Sequence, residues 1–177
     1  MIKKFKHFFE GKSGDMFPCG CVLMYLDIND WDEIVSIIDE EDIYNPSPRY
    51  GIEYNPHVTL IFGLDVSVSP DQVEFALSRF KNQRISLKIN GIGKFDNEEY
   101  SVVKLNVDSP ILHEINEELS KLPHKSDFPN YIPHITISYV KPGKADKYLS
   151  DRYRKDFNEI KNITYSMSDG TKKEFKL

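Results

Sequence analysis

Two stretches of the chain, Tyr54 to Phe62 (YNPHVTLIF) and Tyr131 to Tyr139 (YIPHITISY), spell nearly the same pattern 77 positions apart. Each is Tyr, any residue, Pro, His, a β-branched residue, Thr, an aliphatic, any residue, then an aromatic. Both are short, rich in β-branched and aromatic residues, and preceded by proline, so each reads as a strand. Alternate residues of a strand share a face. Val58, Leu60 and Phe62 are therefore expected on an apolar face, with His57 and Thr59 on the other. The second copy sorts the same way: Ile135, Ile137 and Tyr139 against His134 and Thr136.

If the two strands meet across one cleft, a pair of imidazoles and a pair of hydroxyls converge on one small ligand. One neutral imidazole can take a proton from an attacking oxygen while the other, protonated, gives one to the leaving oxygen. Histidine suits both tasks because its ordinary pKa, about 6.5, lies near working pH. Threonine hydroxyls can hold the negative charge on non-bridging phosphate oxygens. The set matches phosphodiester cleavage and calls for no metal and no cofactor.

The rest of the composition narrows the partner. The net charge is -5 with a pI near 5.6, which argues against coating long nucleic acid through its phosphates. A small phosphate ligand held by a few local cations remains compatible with it. Cys19 and Cys21 are one residue apart on an apparent strand, too close to bridge, and no finger-spaced partners follow; a reduced, cytoplasmic setting is expected. No apolar run is long enough for a membrane span, and lysines interrupt the basic N-terminus, residues 1–16, which reads as a solvated arm carrying Lys3, Lys4, Lys6 and His7.

A buried strand is expected from Cys19 to Ile28, then a helix through Trp31, Ile34, Val35 and Ile38 capped by Asn29. Residues 43–51 read as a loop holding Arg49. Ser69-Pro70-Asp71-Gln72 has the form of a capping box. Strands are expected at Ile85 to Ile89 and, after a turn at Gly91, near Ile92 to Phe95, then from Ser101 to Val107. Ser109-Pro110 opens a helix with Leu112, Ile115, Leu119 and Leu122 inward. Lys144 to Lys155 reads as a basic, helical segment, and the C-terminus as a hairpin around a two-residue Asp169-Gly170 turn. No linker divides the chain, so one domain of two pseudo-symmetric lobes over residues 1–177, of α+β class, is expected.

The duplicated His-x-Thr motif resembles the two-histidine phosphoesterase superfamily, over about Cys19 to Phe175. The resemblance implies a bilobal fold in which concave antiparallel sheets line a central cleft and helices pack outside. It also implies that His57, Thr59, His134 and Thr136 are catalytic. Within that superfamily the context around PHVTLIFG, with the closing hairpin, looks most like phage anti-CBASS phosphodiesterases. Those imply a cyclic di- or trinucleotide substrate, a ribose 2'-hydroxyl as nucleophile, and a host-cell cytoplasmic setting. A family tyrosine on the first strand corresponds to Tyr25. The resemblance makes Phe95 or Tyr100 a candidate for the family's base-stacking aromatic; the one tryptophan, Trp31, departs from the family pattern by preceding the first motif. A C-terminal acidic residue corresponds to Glu174. From its position after the second motif, Lys141 is a further candidate phosphate ligand; Arg49, Tyr54 and Tyr131 flank the motifs, while His113 and His124 read as exposed. A monomer is expected. Two other readings stand beside this one: an RNA 2',3'-cyclic phosphodiesterase, and a nucleotide-sequestering protein without turnover.

Overall fold

The computed structural model describes residues 19–47, 50–125, 130–160 and 162–177; Arg49, His7 and the N-terminal lysines lie outside them. The strands are β1 (Gly20–Tyr25), β2 (His57–Leu64), β3 (Ile85–Asp96), β4 (Ser101–Asp108), β5 (His134–Val140), β6 (Ser150–Ile160), β7 (Asn162–Ser166) and β8 (Lys172–Lys176). Among the described residues they form one antiparallel sheet in the order β6-β3-β4-β5-β2-β1-β7-β8. The helices are α1 (Trp31–Val35), α2 (Pro70–Leu77) and α3 (Pro110–Leu119). Their buried residues join the inward sheet residues in one apolar core. The class is α+β, and the sheet divides at the β5–β2 seam into two halves of four strands.

The seam is narrow. β2 and β5 share one register pair, Val58 with Ile135, while β1–β2 and β4–β5 are paired along their lengths. Beyond the seam pair, the loop before β2 takes over as β5's neighbour: Glu53 N–H donates to the Ile137 carbonyl and Tyr139 N–H to the Gly51 carbonyl, each at 2.9 Å. The Trp31 indole N–H holds that loop through the Glu53 carbonyl at 2.8 Å.

Both motif strands break their alternation at the same place. In β2, Leu60 and Ile61 together face Val22 of β1; in β5, Ile137 and Ser138 together face Val103 of β4. A bulge inserts one residue and reverses the facing of all that follow. Leu60 and Ile61 are thus both buried in the core. Phe62, expected inward, shares the side of His57 and Thr59, and Tyr139 shares that of His134 and Thr136. Tyr139 there packs with Tyr100 and Val102, flanked by Tyr44, Tyr50 and Phe95. A bulge exposes a carbonyl that the ladder no longer pairs. At the first bulge, the Asn116 side chain of α3 donates to the Leu60 carbonyl at 2.6 Å; at the second, the Glu53 amide serves Ile137.

Other expectations met the structure unevenly. The capping box forms, with Ser69 and Gln72 exchanging side-chain and backbone hydrogen bonds. Asp30, not Asn29, stands at the N-cap of α1, and its carboxylate bonds Lys155 and Tyr153 instead of capping. The expected turn at Gly91 is a bulge inside one long strand, β3. The segment Lys144 to Lys155 is not a helix. It holds a 3₁₀ turn at Asp146–Tyr148 and then the edge strand β6. Its charges conceal a period of two, in which Tyr153 and Phe157 are half-buried between exposed neighbours, and charged side chains are what edge strands carry. The terminal hairpin closes over three residues, Ser168 to Gly170, with Gly170 at positive φ and Met167 bonded to Thr171, the type I turn with a glycine bulge.

Gly63 lies inside the first motif strand, one residue before its end, and only glycine fits there. Its φ is +87°, and a Cβ there would lie 1.8 Å from the Lys125 carbonyl oxygen. That close approach lets Lys125 N–H bond the Gly63 carbonyl at 2.9 Å. It fastens the loop ahead of the second motif onto the first.

Replacing Asn116 by Ala is expected to cost about 1–3 kcal/mol, the price of an orphaned buried carbonyl, and to lower Tm by roughly 2–10 °C. Gly63→Ala is expected to cost more than about 3 kcal/mol, because a backbone clash adds to the conformational strain. Gly143→Ala, whose added Cβ meets nothing within 4 Å, should cost only about 1 kcal/mol. Thermal unfolding of the three variants measures all of these.

Candidate active site

Each motif histidine is set by its own tripeptide. The His57 Nδ1 lies 2.8 Å from the Asn55 carbonyl, and the His134 Nδ1 lies 2.8 Å from the Ile132 carbonyl. A carbonyl only accepts, so each Nδ1 carries the hydrogen and each Nε2 is left with a lone pair when the ring is neutral. Proline between carbonyl and histidine supplies the bend: it holds its own φ and keeps the residue before it extended. The third Pro-His pair obeys the same rule, with His124 Nδ1 2.9 Å from the Leu122 carbonyl. His124 is half-buried and bridged to Leu64, not exposed as expected.

Tertiary pairing then brings two of the three together. Antiparallel continuation from Val58 and Ile135 sets His57 opposite Thr136 and Thr59 opposite His134. Directly opposed residues are about 5 Å apart and diagonal ones about 7–8 Å. The two histidines occupy such a diagonal. The structure therefore gathers His57, Thr59, His134 and Thr136 on one face, all half-buried.

Different neighbours surround the two histidines. Tyr25 of β1 is across from His57, its ring 5.7 Å away at 61°. The Tyr25 phenol oxygen is buried and has no hydrogen-bond partner among the described residues. Phe95 stands edge-on to His134 at 4.9 Å. Across from Thr136 and His134, β4 presents Lys104 and Asn106, which bond each other; the Lys104 ammonium also lies 4.5 Å from the Phe95 ring centre. Gly93 of β3 is level with Lys104, and a side chain there would collide with Asn106. Burial pushes His134 down to about 4, helped by the charges of Lys104 and His57 and opposed by the Ile132 carbonyl. Burial likewise lowers Lys104. Thr136 lies beside the Tyr139 phenol, a proximity that the bulge makes possible.

Lys104 and Asn106 are absent from the sequence-based candidates. Inside SVVKLNV they read as the solvent side of a half-buried strand, and only the pairing of β4 with the second motif strand distinguishes them. Other candidates lie elsewhere. Tyr100 is 2% exposed and enclosed by Tyr44, Tyr50 and Tyr139, leaving no open face for a base. Lys141 follows β5 at the end away from His134, about 23 Å along the strand, and donates to the Glu41 carbonyl. Glu174 is exposed on the outer strand β8, opposite Thr164, which in turn faces Leu23. That places it about three strand spacings, roughly 14 Å, from Thr59. Tyr54 is 70% exposed, while Tyr131 is packed against the core and stacks edge-on with His113. Among the described residues no three His, Cys, Asp or Glu side chains gather at metal-binding spacing, and no helix is long and apolar enough to cross a membrane.

The chain has relatives among known proteins. A protein named RNA 2',3'-cyclic phosphodiesterase from Methanocaldococcus jannaschii is 27% identical over 131 residues, covering 71% of this chain and 69% of its own. In fold, the chain is similar to Kluyveromyces marxianus Usb1 solved with uridine monophosphate, with TM-score 0.60 and 9% identity over 90% of this chain and 98% of that one. It is also similar to E. coli LigT complexed with 3'-AMP, with TM-score 0.57 and 14% identity over 90% and 95%. The family model described as the 2'-5' RNA ligase superfamily matches residues 31–161, and the chain belongs to that superfamily, the two-histidine phosphoesterases.

Proposed function

We propose that this protein is a phosphodiesterase that opens 2',3'-cyclic phosphates on nucleotides or RNA ends by proton transfer between His134 and His57. The observation that carries the reading is the diagonal pair of imidazoles, each with Nδ1–H spent on a carbonyl and Nε2 turned to a shared face. His134, held neutral at ordinary pH, takes a proton from water as the water oxygen bonds phosphorus. The bond from phosphorus to one ribose oxygen breaks, and protonated His57 gives that oxygen its proton. One water is consumed, a phosphomonoester remains, and the two protons re-equilibrate with solvent. Thr59 and Thr136 donate to the non-bridging oxygens, where charge accumulates. The relative's name, RNA 2',3'-cyclic phosphodiesterase, supports the substrate class.

A second reading keeps the same four residues and changes the nucleophile. In a cyclic di- or trinucleotide, the ribose 2'-hydroxyl beside a 3'–5' phosphate would lose its proton to His134, and the leaving 5'-oxygen would receive one from His57. The net charge of -5 favours a small substrate of this kind over a long polymer.

His57→Ala and His134→Ala are each expected to lower kcat by about 10² to 10⁴, with EDTA present and the fold intact by circular dichroism. Mass-resolved products from a cyclic-phosphate-ended RNA, a 2',3'-cyclic mononucleotide and a panel of cyclic di- and trinucleotides decide the substrate. Full turnover of every substrate by both variants would end the proposal; substrate bound tightly but recovered intact from the wild-type protein would select sequestration instead.

The pH dependence follows from His134. A base must be neutral, and a pKa near 4 keeps it so through the whole range from pH 5 to 8. The acid limb of kcat/KM is therefore expected near pH 4, well below the value of about 6.5 for an ordinary histidine. Stopped-time assays from pH 3.5 to 9 measure it.

A further inference from the structure

The two halves of the site are related by a pseudo-twofold through the Val58–Ile135 pair, and one half carries a charge that the other lacks. Across from Thr59 and His57, β1 places Leu23 and Tyr25. Across from Thr136 and His134, β4 places Lys104 and Asn106. Lys104 is 5% exposed, and no carboxylate pairs with it among the described residues. Its ammonium has one neutral oxygen, from Asn106, and the face of Phe95. A buried cation of that kind is costly to hold unless an anion joins it. Neither Asn106 nor Phe95 supplies a negative charge, and an ammonium has three hydrogens to donate. Gly93 makes room for the Asn106 amide itself, since any side chain there would strike it.

We infer that Lys104 is the anion-holding residue of the site: its ammonium takes a non-bridging phosphate oxygen, Asn106 aims it, and the substrate phosphate is seated toward the β4–β5 half. The inference rests on the phosphoryl chemistry proposed above and gives that chemistry a direction. A cation on the His134 side disfavours a proton on His134 and leaves it as the base. The role of proton donor then falls to His57, which faces Tyr25. The groups facing His134 are Lys104 and Asn106 from β4, His57 from β2, Phe95 from β3 and the Ile132 carbonyl; Lys104 and His57 are the charged or titratable ones among them. Lys104 thus serves twice, as a ligand to the bound anion and as a positioning charge for the proton.

The test uses inorganic phosphate and needs no turnover. In the wild-type protein, phosphate titration followed by NMR is expected to shift the Lys104 ε-methylene and the His134 ring resonances along one saturable curve. In Lys104→Met that affinity is expected to fall at least tenfold and the His134 titration midpoint to rise, because the neighbouring cation is gone. In Lys104→Arg both are expected to return most of the way. With substrate, Lys104→Met is expected to lower kcat/KM and to move its acid limb to higher pH. Phosphate that leaves the wild-type Lys104 resonance unmoved overturns the inference, with no variant needed. So does a folded Lys104→Met with unchanged phosphate affinity and an unchanged His134 midpoint. If phosphate binds at Lys104 but no cyclic phosphate is opened, the reaction proposed above fails and this assignment stands. If cyclic phosphates are opened equally well without Lys104, this assignment alone fails.

Discussion

The pairing of Val58 with Ile135 is the contact on which the site depends. Among the described residues it is the one register pair between the two halves of the sheet, and it sits next to His57, Thr59, His134 and Thr136 in the two strands. A slip of one residue there would turn the histidine and threonine of the slipped strand to the core face. What prevents it is the burial of Val58, Leu60 and Ile61 on one strand and Ile135 and Ile137 on the other. Each apolar side chain of this size is worth about 1.5–3 kcal/mol in the core, so a slipped register would forfeit several at once.

The paired bulges extend this logic. They come immediately after the motif threonines, Thr59 and Thr136, and each needs a donor for its released carbonyl. The donors differ: a side chain from α3 in one half, and the backbone of the loop before β2 in the other. The repeat is thus closer in backbone geometry than in the means that sustain it. Beyond the bulges, aromatic residues face the site side, and Tyr139 joins a cluster with Tyr44, Tyr50 and Tyr100 that walls off one end. Trp31, tied to the Glu53 carbonyl, holds that wall from the core side.

Symmetry of spelling conceals asymmetry of environment. The two motifs differ little, and the local hydrogen bond of each imidazole is the same. The neighbouring strands are unrelated, and they decide that one imidazole lies beside a buried lysine and the other beside a tyrosine. A reaction with one base and one acid requires such a difference, because two equivalent imidazoles would share protons without direction.

The sequence by itself determined what depends on short range. The strand character of both motifs, the capping box at Ser69 and the Nδ1–H tautomer set by x-Pro-His are local matters of dihedral angle and neighbouring carbonyl. So was the pairing of chemistry, His57 and Thr59 with His134 and Thr136, because repeated spelling survives any fold. Only the tertiary structure decided the rest. Phe62 and Tyr139 changed faces because a bulge is stabilised by distant donors that a strand's own residues do not reveal. Tyr100 and Lys141 left the site, and Lys104 and Asn106 entered it, because strand order determines which residues stand across from a motif. Residues 144–155 became a turn and a strand because β3 offered an open edge. Backbone preference acts over a few residues, whereas register and facing are settled by pairing and burial across the whole sheet.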